Sequence, residues 1–219
     1  MAAGGRASAS RAPWWRAVSD ASAFDRCIAG GGLVVFPADT VYGIACDPGD
    51  RFAVTQLGLL KRRSPQKPSA VMFFDPAVAW AALPELGQRT RAALSRLLPG
   101  GVTALVGNPA GRFPLACGGD PSTLGLRVVQ VAEVGGARGP VLQSSANRAG
   151  GVAPQRLSEV PELIRSAAEL VIDGGDLPGT PSTIVDLRHY EASGSWSVAR
   201  VGAVAAETLE RALGRVPRG

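Results

Sequence analysis

Along the chain, short runs of apolar residues rich in Val, Ile and Leu recur between stretches that read as helical. Gly, Pro or Asn clusters mark the joins. The apolar runs predict buried strands over 33–36, 42–46, 70–74, 102–106, 124–129, 141–144, 170–172, 183–187 and 196–201. Helices are expected over 19–29, ended by Gly30-Gly31-Gly32, and from a cap at Asp50 to about Arg62. Others are expected over 88–98, closed by Pro99-Gly100-Gly101, from a Ser158 cap to about Ala168, and over 205–213. Strands mixed irregularly with helices predict an α/β protein built on one large twisted sheet with flanking helices. No internal repeat and no interdomain linker is visible. The expected organisation is a disordered tail over 1–18 and a single domain over 19–215. Residues 1–18 are Arg-rich and acid-poor like a transit peptide, but Pro13 and the Trp14-Trp15 pair fit that reading poorly.

Composition narrows the class. In 219 residues, 46% are hydrophobic, enough for a sizeable core. No apolar run reaches the roughly 18 to 20 residues that span a bilayer, so no membrane partner is expected. Cys27, Cys46 and Cys117 are far apart and odd in number. They suggest neither a disulfide framework nor a CxxC site, and suit a reducing cytoplasm. The net charge of +5 arises partly from Arg6, Arg11 and Arg16 ahead of the first acid, Asp20. The remaining body is nearly balanced, which weakens any inference from overall basicity to nucleic-acid binding. Arginine dominates the cations, and the only lysines, Lys61 and Lys67, share one stretch. An ammonium and a guanidinium are not interchangeable at a phosphate.

The chain lacks both the GxxxxGK[ST] loop and a GxGxxG after a strand, which removes the common Gly-rich phosphate sites. Its one histidine, His189, lies in a polar loop and reads as a surface residue, so Ser-His-Asp, Cys-His and His-based zinc chemistry are not expected. Catalysis here must rest on positioning and electrostatics. Four segments place unusual polar residues at strand ends. The stretch 36–43 offers Asp39, Thr40 and Tyr42 after a Pro and fits a site or an ordinary turn. The stretch 61–68 gathers Lys61, Arg62, Arg63 and Lys67 with Pro65 and Pro68. It fits an anion clamp or a solvated helix terminus. Gln143 to Asn147 and Ser182 to Asp186 offer hydroxyls and amides that suit phosphate or ribose, and equally suit caps and turns.

In order, FPADTVYGIACD, LKRRSPQKP, LPGGVT, LGLRV, SSANRAG, VIDGG, STIVD and ARVG resemble the YrdC-like (TsaC-type) threonylcarbamoyl-adenylate synthases, over residues 33–202. The chain ends soon after ARVG, as in the short form without an extra C-terminal domain. The resemblance implies a YrdC-like α/β fold with a deep basic groove. It implies condensation of L-threonine, bicarbonate and ATP, with Mg²⁺, to threonylcarbamoyl-AMP and pyrophosphate. The product would serve tRNA threonylcarbamoyladenosine modification through a separate transferase complex. By motif position, Lys61 and Arg63 would grip the ATP phosphates as the catalytic cations. Ser145 and Asn147 would hold ATP and the metal, and Ser182 and Arg200 would contact the nucleotide. Arg127 would hold the threonine carboxylate, with Thr40 and Tyr42 lining that pocket. Ala38 stands where most members carry a threonine that contacts the amino acid. Two other readings remain: a carbamoyl-adenylate-forming relative with another acceptor, and a non-enzymatic RNA-binding module.

Overall fold

Alternating side chains on the strands give one sheet two different faces, and this difference creates the site. The computed structural model describes residues 21–214, so the expected tail lies outside the described residues. In chain order the elements are α1 (Ala21–Ala29), β1 (Val34–Pro37), β2 (Tyr42–Cys46), α2 (Arg51–Leu60), β3 (Ala70–Phe73), α3 (Pro76–Ala82), α4 (Gln88–Leu97) and β4 (Val102–Gly107). They continue with β5 (Thr123–Val128), β6 (Val141–Ser145), α5 (Glu162–Ser166), β7 (Leu170–Val171), β8 (Thr183–Asp186), α6 (Tyr190–Ser193), β9 (Ser197–Arg200) and α7 (Ala206–Leu213). The strands form a nine-stranded mixed sheet in the order β7-β1-β2-β6-β3-β5-β4-β8-β9. None of the described helices is long and apolar enough to cross a membrane.

One face is fully covered. Val35, Ile44, Val71, Phe73, Leu126, Leu142 and Val185 pack there against Leu57 of α2, Ala79 of α3, Leu94 of α4 and Leu209 of α7. The other face is covered only in part. Phe24 and Ile28 of α1 bury Val34, Phe36, Ala45, Met72 and Val141. There Phe24 meets Phe36 and Phe74 edge-on, with centroids 5.4 and 5.3 Å apart, an arrangement that favours aromatic pairs. Beyond α1 the row Gln143, Ala70, Gly125, Leu105 crosses β6, β3, β5 and β4 in register. Short side chains at 70 and 125 keep this floor low.

The strands and the helices over 21–29, 50–62, 88–98 and 205–213 match expectation within a residue or two at most ends. The Ser158-capped helix does not. Ser158 lies in a 3-10 turn, Leu157–Glu159, and α5 starts only at Glu162. Pro161 drives Val160 into extended backbone and so separates the two pieces. Helix α3, with Asp75 as cap and Pro76 in its first turn, was not anticipated. Its Asp-Pro start is a recognised signal.

Helix α4 is capped from a distance. Gly87 supplies no side-chain cap, but the Glu191 carboxylate of α6 accepts from Thr90 N at 2.8 Å and Arg89 N at 3.4 Å. These bonds hold the Glu191 carboxyl below its ordinary value of 4.5. Its stabilisation is therefore present above that value and lost as pH falls through the depressed folded one. Glu191→Ala should lower the melting temperature at pH 7 and have less effect at pH 3, checked by thermal melts across that range.

Candidate functional site

Over the uncovered half of the second face lies a cavity of about 570 Å³. Lys61, Arg63, Ser145, Asn147, Ser182, Arg200, Thr40 and Arg127 all line it. Elements far apart in sequence thus converge on one cleft. Among the described residues the lining cations Lys61, Arg63, Lys67, Arg127, Arg188 and Arg200 outnumber one lining carboxylate, Asp120, so the cleft is basic. His189 is exposed and takes no part.

The first pole is set by the end of α2. Asp50 Oδ1 accepts from Phe52 N and Ala53 N and fixes where the helix begins. At the other end Lys61 is the C-cap, and Arg62 turns into the left-handed region at φ 51°. Arg63 N then bonds back to Gly58 O at 2.9 Å, as in a Schellman-type termination. A glycine is usual at such a position; an arginine there costs about 1 kcal/mol or more. The reversal leaves Lys61 inside, only 1% exposed. Its ammonium donates to Ser145 O, to Asn147 O at 2.6 Å and to Asn147 Oδ1 at 3.5 Å. Lys61 O in turn accepts from Ala149 N at 2.8 Å. Ser145 Oγ donates to Asn147 Oδ1 at 2.5 Å, and Asn147 Nδ2 to Gly151 O at 2.6 Å. The lysine thus locks the end of β6 and the following turn into one unit. Among the described residues no carboxylate is one of its hydrogen-bond partners. Burial, helped by the charges of Arg63 and Lys67, pulls its pKa down from 10.5 to about 8. A buried cation held only by carbonyls is poised for an anion.

Arg63 folds over the 64–68 loop, donating to Lys67 O at 3.3 Å, to Pro68 O and to Ser144 Oγ at 3.5 Å. Burial lowers its pKa. Gly118 makes this loop possible: it has φ 61°, and a Cβ there would lie 2.5 Å from Gln66 O.

The second pole is Arg127 on β5. It pairs with Asp39 of the β1–β2 turn, and the two side chains are 4% and 16% exposed. Among the described residues, Asp39 Oδ2, Thr40 Oγ1 and Arg127 Nε are buried without a hydrogen-bond partner. Three such atoms in one corner offer a polar ligand donors and acceptors that the described residues leave unmatched. Close by, Ser182 Oγ meets Thr103 Oγ1 at 2.8 Å, and Arg200 donates to Ser182 O at 2.7 Å. Burial and then the like charge of Arg127 lower the Arg200 pKa.

Tyr42 is placed differently from the sequence expectation. It is fully buried on the helix-covered face and does not line the cavity. Its hydroxyl meets Asp173 Oδ1 at 2.8 Å and Gly175 O at 3.0 Å, and accepts from Gly174 N at 2.9 Å. Burial, then the Asp173 bond, push its pKa up. It anchors the loop leading to Ser182. Position 42 alternates with Gly43 and Ala45 on β2 and shares its face with Ile44 and Cys46, so the pleat sends it opposite to the floor. Ala38 is also buried away from the cavity, in the α1 cluster. Asp39 and Gln143 fall in the candidate strand-end stretches but are given no role by motif position, and Thr103 lies outside those stretches. Their roles depend on strand register and on the turn's path.

Fold and cleft together define the class: an α/β protein with a nine-stranded mixed sheet whose floor carries a basic, nucleotide-sized cleft. The Sua5/YciO/YrdC family model, described as "Telomere recombination", matches residues 26–202, and the chain belongs to this family. A threonylcarbamoyl-AMP synthase of Stutzerimonas stutzeri is 33% identical over 172 residues, 76% of this chain and 91% of that protein. One from Nitrosococcus oceani is 35% identical over 170 residues, 74% of this chain and 90% of that protein. Among solved structures, Sua5 of Pyrococcus abyssi complexed with L-threonine matches with a TM-score of 0.78 and 25% identity. The match covers 90% of this chain and 58% of Sua5, so the chain spans little more than half of that longer protein.

Proposed function

We propose that the protein condenses L-threonine, bicarbonate and MgATP to L-threonylcarbamoyl-AMP and pyrophosphate. The observation that carries this reading is one cleft with two poles. A cationic end holds Lys61, Arg63, Ser145 and Asn147; the other end holds Arg127 and Thr40 with unpartnered polar atoms. A triphosphate fits the first, where clustered cations offset charge on the departing pyrophosphate. A carboxylate fits the guanidinium of the second. Bacterial threonylcarbamoyl-AMP synthases matched over about nine-tenths of their length support the same reading.

In this scheme the threonine amine attacks bicarbonate, and water leaves to give the carbamate. A carbamate oxygen then attacks the α-phosphorus, and the bond to pyrophosphate breaks. No protein nucleophile is needed. Lys61 and Arg63 orient the triphosphate, Ser182 and Arg200 hold the nucleotide side, and Arg127 sets the amine against its target. Mg²⁺ enters with the substrate and neutralises phosphate charge. The described residues contain no group of three His, Cys, Asp or Glu arranged to hold a metal. The hard oxygens of Ser145 and Asn147 beside the phosphate end suit an ion carried mainly by phosphates. The product is an activated carbamoyl donor for tRNA threonylcarbamoyladenosine formation by a separate transferase complex in the cytoplasm.

The test is pyrophosphate release with labelled bicarbonate across the amino acids. Release should require threonine, ATP and bicarbonate together. Adenylate formed without threonine would instead favour the relative with another acceptor, and no release at all would end the enzymatic reading.

A further inference from the structure

The floor of the cleft carries a polar side chain to which the scheme above gives no task. Gln143 of β6 is only 5% exposed and lines the cavity. Its carboxamide makes no hydrogen bond to any described residue. Its in-register neighbours are Ala45 on β2 and Ala70 on β3, with Gly125 next in the row. The amide group therefore stands among residues of one side-chain carbon or none. Gly43 completes the opening: a Cβ there would fall 2.7 Å from Gln143 Nε2. The amide opens into the cleft, so a ligand that displaces water from this floor must satisfy it or leave it unpaired at about 1–3 kcal/mol.

Register fixes where that ligand would be. Arg127 lies level with Met72 and, through it, with Val141 of β6. Ser145, at the phosphate pole, is four residues beyond Val141 on the same strand, on the same face. Gln143 is midway, about 7 Å along the strand from each level. With threonine held by its carboxylate on Arg127 and the α-phosphate near Ser145, the carbon being transferred lies between them. A carboxamide offers one N–H donor side and one C=O acceptor, which match the oxygen and the N–H of a carbamate.

We infer that Gln143 binds the bicarbonate-derived carboxyl group, holding the carbamate of threonine between the amino-acid and phosphate poles. Gln143 is a substrate-contacting residue and forms no covalent bond; Gly43 provides the space its amide occupies. The assignment rests on the synthase reading. It distinguishes this residue from Lys61 and Arg127, whose losses act on ATP and threonine.

The experiment uses the full chain and compares wild type, Gln143→Leu and Gly43→Ala. Pyrophosphate release is titrated separately with bicarbonate in CO2-depleted buffer and with threonine, and ATP binding is measured by calorimetry. Gln143→Leu should raise the KM for bicarbonate by about ten- to a hundredfold, with the ATP Kd and threonine KM changed by less than about threefold. Gly43→Ala keeps the amide and displaces it, so it should raise the same KM by a smaller factor, and it decides the matter if Gln143→Leu melts below assay temperature. A bicarbonate KM within about twofold of wild type in both folded variants overturns the inference. So does a loss confined to ATP binding. A wild type without threonine- and bicarbonate-dependent release removes the synthase reading first, and this assignment with it.

Discussion

Lys61→Met is expected to cut pyrophosphate release by about a thousandfold or more while leaving a folded protein. Two opposing terms decide the second half of that outcome. Removing the ammonium strands the backbone carbonyls of Ser145 and Asn147 that it now serves, at about 1–3 kcal/mol each if no water replaces it, while Asn147 Oδ1 keeps its bond from Ser145 Oγ. It also relieves the cost of burying a charge, which the fall from 10.5 to about 8 puts at about 3 kcal/mol. The terms are of similar size, so the net loss should be a few kcal/mol at most. The pH dependence separates the two roles of the lysine. Between pH 8 and 10.5 the unfolded chain keeps a proton on Lys61 that the folded protein has released. The folded state therefore gains stability as pH rises through this window. ATP affinity should move the opposite way, weakening up to tenfold per pH unit above about 8 as the cation is lost. Calorimetric ATP binding and chemical denaturation at pH 7 to 10.5 provide the check. If wild type and Lys61→Met keep a constant difference in stability across that range, burial of the charge is not what depresses the lysine.

Arg127→Ala should raise the threonine requirement by about a hundredfold, with ATP binding nearly unchanged. The guanidinium, with its own Nε unpartnered, lies in the corner where Thr40 Oγ1 and Asp39 Oδ2 also lack partners. Its removal further leaves Asp39 buried and unpaired, which for a buried pair costs about 3–5 kcal/mol, less here because Asp39 retains some exposure. Arg127→Lys should not restore threonine use, because an ammonium cannot hold a carboxylate and Asp39 in one planar fork. Combining Asp39→Asn with Arg127→Ala should recover much of the stability and none of the threonine use. Threonine titrations and thermal melts of the three variants test this. An unchanged threonine KM in Arg127→Ala would take Arg127 out of the amino-acid pocket.

The strands were legible because a half-buried or buried strand needs its Val, Ile and Leu in one short run. Helix α2 was legible from Asp50, whose cap is local chemistry. The segment around Ser158 misled because a good capping residue sits three positions ahead of a proline, and the proline decided where the helix could begin. Lys61, Arg63, Ser145 and Asn147 could be read from motifs, since each pair is close in sequence. That Lys61 spends its hydrogens on the turn carrying Ser145 and Asn147 could not, because it depends on a contact across more than 80 residues. Tyr42 and Gln143 show the same limit. Both sit in sequence next to site residues, yet the pleat and the register alone decide that one anchors a loop from behind and the other stands in the cleft.

The parallel pairing of Thr103 with Ile184 places β8 against β4, and this has a consequence for synthesis. While the ribosome has delivered the chain only as far as β7, β4 is an unpaired sheet edge and the cleft lacks the wall that carries Ser182 and Arg200. A strand edge of that kind is open to pairing with other chains until its partner arrives. Closing so distant a pair is slow compared with local contacts. Binding competence is thus the last property this polypeptide acquires as it folds, and the interval before it is when association with other nascent chains is most favoured.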